Sequence, residues 1–164
     1  METESLTAMS EHGLELIKQW EGFKPDVYKD SAGLPTIGVG HLITKSQQTT
    51  GEIVIGGLPV QYANGLTGQQ VLDLLSQDVQ PAEQAVNNGV KVALDQNQFD
   101  ALVSFTFNVG VGAFTSSTLL KVLNQSQYDG VPDQLRRWNK AGGKVVQGLV
   151  NRRENEVKLW SGQI

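Results

Sequence analysis

Hydrophobic residues recur at helical spacing along most of the chain, except between about residues 23 and 66. The first predicted helix follows Ser10, a favourable N-cap, and it places Leu14, Ile17 and Glu21 on one stripe at i, i+3 and i+7. The later predicted stripes contain Val71, Leu74, Leu75, Asp78 and Val79; Phe99, Leu102, Val103, Thr106 and Phe107; Leu119, Leu120 and Leu123; Leu135 and Trp138; and Leu149, Val150, Arg153, Val157 and Trp160.

The exception, residues 23–66, combines short β-favouring runs with turn residues. Two strands of a hairpin are predicted at residues 27–29 and 36–39, with a turn at residues 30–33 between them. Residues 46–66 are polar and glycine-rich around one short apolar run, which indicates a surface excursion with room for one more hairpin.

The predicted fold class is therefore α+β, mainly α, in a single domain of 164 residues. A lone N-terminal helix buries little apolar surface on a small sheet, so we expect it to return to the helical body. This predicts a β-rich lobe of about residues 23–66 and a larger helical lobe of residues 1–22 and 67–164, flanking a substrate cleft.

The composition, with 39% hydrophobic and 18% charged residues, is that of an ordinary globular chain. No apolar run is long enough for a transmembrane helix, so we expect no membrane insertion. Residues 1–13 are polar and acidic and lack the basic and apolar regions of a secretory signal. The chain has no cysteine, which excludes disulfides and thiolate chemistry, and the spacing of His12 and His41 does not suggest a zinc site.

The net charge of −4 conceals an uneven distribution. Residues 1–120 carry a net charge of −8, and residues 121–164 carry +4 with eight basic side chains. A basic C-terminal quarter could meet an anionic polymer such as a cell-wall glycan or a nucleic acid, or it could simply be a solvated helical face.

Three groups able to perform hydrolytic chemistry lie close together in the sequence. Glu21 falls on an apolar stripe at a helix C-terminus, where desolvation and the helix dipole both disfavour its anion, so it suits a proton donor. Asp30 lies in a polar turn and should be ionised, and the hydroxyl of Thr36 could hold a water molecule near it. Spacing alone is weak evidence, because Asp30 could be an ordinary turn residue and Thr36 an ordinary strand residue.

The segment around these groups resembles the signature of the phage-type lysozymes, the endolysins of glycoside hydrolase family 24. In that family a helix-end Glu is followed after eight residues by Asp, after five more by Thr, and then by Ile-Gly-x-Gly-His. The segment from Glu21 to His41 has this pattern intact. Other stretches typical of the family follow in the same order at residues 98–105, 107–110, 114–120 and 148–154.

The resemblance implies a lysozyme-like fold and a peptidoglycan-cleaving muramidase. Family members hydrolyse the β-1,4 bond between N-acetylmuramic acid and N-acetylglucosamine, which would make Glu21 the proton donor and Asp30 the second catalytic carboxylate, assisted by Thr36. By position, Leu42, Phe107 and Ser117 fall where the family's glycan cleft is lined. His41 is expected to close the β lobe by hydrogen bonds.

Arg152 and Arg153 are expected to support the site. The family pattern suggests that one of them approaches Glu21 and orients it; helical spacing favours Arg153, whereas positional matching favours Arg152. The other arginine, or both, could instead form a salt bridge to Glu154, Glu156 or another carboxylate.

Two other functions compete with the muramidase. A lytic transglycosylase would need Glu21 without an Asp partner, and a catalytically silent wall-binding module would need none of the three groups. The resemblance further implies glycan strands of peptidoglycan as partner, with no nucleic acid, no metal or organic cofactor, and a monomeric state. A protein of this kind would accumulate in the host cytoplasm and reach the wall after release, with the help of a holin-like factor.

Overall fold

The computed structural model describes residues 8–164 and confirms a mainly helical α+β fold. The expectation about the polar N-terminal stretch falls mostly on residues 1–7, which lie outside this range. The α-helices of the described range are α1 (Glu11–Glu21), α2 (Lys45–Thr50), α3 (Gly68–Asp78), α4 (Gln80–Gly89), α5 (Gln96–Val109), α6 (Val111–Thr115), α7 (Thr118–Asn124), α8 (Val131–Arg136) and α9 (Gln147–Trp160). Its strands are β1 (Lys24–Lys29), β2 (Pro35–Gly38), β3 (His41–Leu42), β4 (Glu52–Ile55), β5 (Leu58–Gln61), β6 (Lys140–Ala141) and β7 (Lys144–Val145).

The chain divides into two compact units, and their boundaries differ from the predicted lobes. The strand-containing unit is Leu14–Asp78, and the helical unit comprises the described residues up to Gly13 together with Val79–Ile164. Residues 67–78, which the sequence assigns to the helical lobe, belong with the strands because α3 packs on β2, β3 and β4. Most of α1 likewise falls in the strand-containing unit.

The strand-containing unit has a three-stranded antiparallel sheet in the order β1-β2-β3. Thr36 of β2 lies opposite Tyr28 of β1 and Leu42 of β3, so the signature segment forms the centre of this sheet. The expected further hairpin is present as β4–β5, but α2 is not predicted by apolar periodicity because none of its residues is buried.

The hydrogen bonds at the helix starts confirm the predicted cap at Ser10 and show two further caps with side-chain acceptors. The Oγ of Ser10 accepts from Gly13 N (3.0 Å) at the start of α1. Thr67 and Gln70 form both hydrogen bonds of the capping box, and Asp95 caps α5 through Gln98 N (2.7 Å). Each cap satisfies backbone amides that the first helical turn leaves without an intrahelical acceptor.

Helix α5 is the centre of the helical unit. Every residue from Phe99 to Thr106 is buried, because α4, α6 and α9 pack around it. The ring of Trp138 meets Phe105 edge-on at 5.4 Å and fixes the chain beyond α8 to this core. The β6–β7 hairpin follows directly and leads into α9.

Two hairpins of the molecule close through paired glycines. Gly56 (φ 60°) and Gly57 (φ 80°) join β4 to β5, and Gly142 (φ 59°) and Gly143 (φ 79°) join β6 to β7. Positive φ at both central positions is the geometry of a type I′ turn, whose twist matches that of the flanking strands.

Candidate functional site

Glu21 is the last residue of α1, as the helical pattern predicts, but its side chain is exposed. The expectation of a buried carboxyl is wrong for this residue. The apolar stripe of α1 is buried at Ile17 one turn earlier, whereas the helix ends at Glu21 and Gly22 (φ 73°) turns the chain away. No further helical turn follows that could cover the carboxyl.

Asp30 is held in the turn between β1 and β2 by its own backbone and side chain. Its Oδ1 accepts from the amides of Ala32 and Leu34, each at 2.9 Å. Its backbone N–H donates to the carbonyl of Leu34, and its carbonyl accepts from Gly33 N, both at 2.9 Å. The carboxylate is thereby oriented by backbone groups alone, while Oδ2 has no protein donor among residues 8–164.

Thr36 lies in β2 with only 2% of its surface exposed. Its Oγ1 donates to the carbonyl of Leu34 at 3.0 Å. Because a hydroxyl has one hydrogen, this bond leaves its oxygen lone pairs as the remaining hydrogen-bonding capacity. A water molecule bound there would have to donate to Thr36.

The backbone of Leu34 connects the two groups. Its N–H donates to Asp30, and its carbonyl accepts from both Asp30 N and Thr36 Oγ1. The carboxylate and the hydroxyl are therefore fixed to the same residue at one end of the β1–β2 hairpin. A water molecule donating one hydrogen to Asp30 Oδ2 and the other to Thr36 Oγ1 would keep an oxygen lone pair free for attack.

His41 has an acceptor at each ring nitrogen. Nδ1 lies 2.8 Å from Asp78 Oδ2, and Nε2 lies 3.0 Å from Gln47 Oε1. The same Gln47 oxygen accepts from Thr44 N in the capping box of α2, which identifies it as the oxygen of the amide. Burial lowers the pKa of His41, but the hydrogen bonds to Asp78 and Gln47 and the charge of Asp78 outweigh burial and raise it. Two acceptors are satisfied together only by the doubly protonated ring.

The three residues predicted to line the glycan differ in their surroundings. Leu42 is 50% exposed on β3 opposite Thr36, and Phe107 is partly exposed near the end of α5. The hydroxyl of Ser117 is buried and caps α7, since it accepts from Leu120 N (3.1 Å) and donates to Phe114 O (2.7 Å). Its hydrogen is thus already used within the helical unit.

Arg152 and Arg153 converge on Glu156, a buried carboxylate one turn further along α9. The Nε atoms of the two arginines lie 3.2 and 3.1 Å from Glu156 Oε2 and Oε1. Ser104 of α5 donates to the same carboxylate at 2.6 Å, and Arg153 also donates to Asn108. Burial raises the pKa of Glu156, and the charges of Arg153 and Arg152 oppose this change. The pairing of one arginine with Glu21 stays a prediction.

Several partners of the predicted site residues are not singled out by the sequence reading, although some signals were available. Asp78 lies on the apolar stripe of α3, where a carboxylate indicates a partly buried partner. Thr44 and Gln47 match the Thr-x-x-Gln spacing of a capping box, which would have located α2. Ser104 lies on a helix that is buried on all sides, so its polar group also needed a partner.

In the described part of the chain, no three His, Asp or Glu side chains are grouped as metal ligands. Among residues 8–164, no helix combines the length and apolarity needed to cross a membrane.

Comparison with known proteins identifies the relatives of this chain. A family model described as phage lysozyme matches residues 18–156. The endolysin of Bacillus phage PZA is 42% identical over 158 residues, which cover 93% of this chain and 55% of that protein. The endolysin of Salmonella phage P22 is 38% identical over 152 residues, which cover 93% of this chain and 97% of that protein.

The fold agrees with these sequence similarities. A crystal structure of a mutant P22 lysozyme superposes with a TM-score of 0.80 and 35% identity, covering 95% of this chain and 99% of the other. The chain spans about half the length of the two Bacillus phage endolysins that it matches.

Proposed function

Because the chain belongs to the phage lysozyme family, we propose that it is an endolysin that hydrolyses bacterial peptidoglycan. The bond cleaved is the β-1,4 linkage between N-acetylmuramic acid and N-acetylglucosamine, which makes the enzyme a muramidase. The substrate is the glycan strand, and its hydrolysis leads to lysis of the host cell. The family match and the intact Glu21, Asp30 and Thr36 pattern support this proposal.

The observation that carries the mechanism is that Asp30 and Thr36 both hydrogen-bond to the backbone of Leu34. In the proposed reaction, protonated Glu21 donates its proton to the leaving glycosidic oxygen. Asp30, as a carboxylate, and Thr36, as an acceptor, orient the water molecule that adds to the sugar. As the water oxygen bonds to the sugar, the carboxylate of Asp30 accepts the proton that the water loses, the glycosidic bond breaks, and the product has an ordinary reducing end.

The remaining predicted residues have supporting parts in this proposal. Leu42 and Phe107 contact the glycan through their exposed apolar surfaces, and Ser117 fixes the start of α7. His41 ties β3, which pairs with the strand that carries Thr36, to α2 and α3 through Gln47 and Asp78. Arg152 and Arg153 act through the buried network at Glu156, and one of them is proposed to orient Glu21.

The enzyme would act as a monomer, accumulate in the host cytoplasm and reach the wall when a holin-like factor gives access. No cofactor is required for proton transfer and addition of water by these side chains.

Mass analysis of digested peptidoglycan tests the reaction, with the Glu21→Gln variant as control. Fragments with normal reducing ends, absent from the Glu21→Gln digest, would support the muramidase. Fragments lighter by one water molecule would identify a lytic transglycosylase and refute hydrolysis. A parent protein that binds sacculi but releases no fragments would identify a wall-binding module instead.

A further inference from the structure

The basic side chains of residues 121–164 fall into two groups. Arg136 pairs with Asp133 and Glu154, while Arg152 and Arg153 pair with Glu156. Within residues 8–164, the other group has no carboxylate partner for its charges; it comprises Lys121, Arg137, Lys140, Lys144 and Lys158. The basic side chains without a carboxylate partner therefore come from several elements, and α9 contributes only one of them.

Three of these unpaired cations lie in a single short segment, residues 137–146, which we call the basic hairpin. It contains β6, β7 and the glycine turn between them, and Val146 N closes its base on the carbonyl of Asn139 at 2.9 Å. Its residues from Lys140 to Val146 are all exposed, including Val145 at 60% and Val146 at 38%. Two exposed valines thus lie beside the unpaired cations of this segment.

The pairing of the strands places a lysine on each face of the basic hairpin. Lys140 lies opposite Val145, and Ala141 lies opposite Lys144. Since directly opposed residues of an antiparallel pair point to the same face, Lys140 shares one face with Val145, and Lys144 shares the other with Ala141. An anionic chain could therefore be contacted from either side of the hairpin.

The base of the basic hairpin is anchored firmly to the helical unit. Trp138 packs edge-on against Phe105 of α5, and the guanidinium of Arg153 stacks over the same ring at 5.1 Å. Trp138 thus packs the base of the hairpin on the C-terminal half of α5, the helix that also carries Phe107, a residue proposed to contact the glycan. Both features belong to the helical unit.

We propose that the basic hairpin binds the carboxylates of the peptide stems attached to the glycan. This inference rests on the proposed function, because it takes peptidoglycan as the substrate. Peptide stems carry free carboxylates, which complement the ammonium groups of Lys140 and Lys144 and the guanidinium of Arg137. The exposed valines would cover the apolar parts of the stem, and the salt dependence of wall binding would come mainly from this segment.

Sedimentation of protein with purified sacculi tests the proposal without requiring turnover. The Lys140→Gln/Lys144→Gln double variant is made in the Glu21→Gln background and compared with a Lys121→Gln/Lys158→Gln double variant, which has the same net charge. Loss of the hairpin lysines should weaken binding by about 3- to 10-fold and flatten its salt dependence, whereas the control pair should bind like the Glu21→Gln protein. Sacculi whose carboxylates are converted to neutral amides should remove the difference between the two double variants.

The possible results separate this proposal from the proposed function. Equal binding by the two double variants would refute the basic hairpin as a stem-binding element, whatever the activity of the parent. A difference that persists on amidated sacculi would also refute it, because the carboxylates would not be the ligand. A larger loss on vesicles of phosphatidylglycerol than on sacculi would assign the hairpin to a lipid surface instead. Failure of the parent to release fragments from sacculi would refute only the muramidase.

Discussion

Nδ1 of His41 is hydrogen-bonded to Oδ2 of Asp78 at 2.8 Å, and Nε2 of the same ring is hydrogen-bonded to Oε1 of Gln47. The imidazole therefore has no acceptor role to fill, and protonation of both nitrogens satisfies the whole arrangement. Gln47 also caps α2, so one side chain ties the signature segment to the excursion that follows it. The charge on His41 thereby links the sheet, α2 and the end of α3.

This relationship predicts a loss of stability at alkaline pH. The pKa of His41 is raised above its ordinary value of 6.5, so its contribution to the free energy of unfolding is complete below pH 6.5. The contribution is lost as the pH rises through the raised value in the folded protein. The Asp78→Asn variant should lose about 1–3 kcal/mol at mildly acidic pH, and its difference from the parent should shrink at alkaline pH. Urea unfolding at several pH values measures both, and a difference that does not depend on pH would contradict the prediction.

The carboxylate at Glu156 should be far more important for stability than its neighbour Glu154. Glu156 is fully buried between two arginines and Ser104, whereas the pair of Glu154 with Arg136 is 45% exposed on both sides. Glu156→Gln leaves buried guanidinium charge without its anion and should cost about 3–5 kcal/mol. Glu154→Gln, two residues away on the same helix, should change the free energy of unfolding by less than about 1 kcal/mol. Similar losses in the two variants would show that the buried network contributes little.

Glu83, which accepts a hydrogen bond from the backbone just before α1, should contribute less to the free energy of unfolding as the pH rises. Met9 N donates to Glu83 Oε2 at 2.6 Å, and burial together with the charge of Asp100 raises the pKa of Glu83 although the Met9 bond lowers it. Its stabilising effect is complete below its ordinary value of 4.5 and is lost as the pH rises through the raised value. Glu83→Gln should therefore flatten the fall in unfolding free energy above pH 4.5. An unchanged slope in denaturant titrations would contradict this role.

The hydroxyl of Thr36 should be needed for catalysis more than for folding. Thr36→Val keeps the shape of the side chain but removes the oxygen that donates to Leu34 and is proposed to accept from water. We expect about a 100-fold lower rate of reducing-end release, with a loss of only about 1 kcal/mol in stability. Thr36→Ser retains the hydroxyl and should recover most of the rate. Equal rates for the valine and serine variants would remove Thr36 from the mechanism.

Much of the fold was accessible from the sequence because local rules agreed with the tertiary structure. The caps at Ser10, Thr67 and Asp95 and the turn after β1 depend on contacts within a few residues, and each is present. Helix α2 was missed because all its side chains lie at the surface, so no apolar periodicity marks it. The grouping of α3 with the strands depends on long-range packing that periodicity does not encode.

The features of the site also fall into those that follow from local sequence and those that depend on the tertiary structure. The positions of Glu21, Asp30 and Thr36 follow from a local pattern, but the exposure of Glu21 depends on where the helix ends. The sharing of Leu34 by Asp30 and Thr36 depends on the register of the β1–β2 hairpin, which spacing alone does not fix. The convergence of Arg152 and Arg153 on Glu156 was one of several pairings that the spacing allowed.

The glycine pair at the β4–β5 turn has a consequence for the unfolded chain. Gly56 and Gly57 have positive φ, and nothing lies within 4 Å of the place where a Cβ would stand on either residue. Backbone handedness, and not space, therefore restricts these positions to glycine. Because positive φ is the ordinary backbone region of a D-residue, a D-alanine at either position would suit the backbone of the turn while removing much of the conformational freedom that glycine has before folding. A D-amino acid in this turn could thus stabilise the protein by about 0.4–1 kcal/mol without a new contact in the folded state.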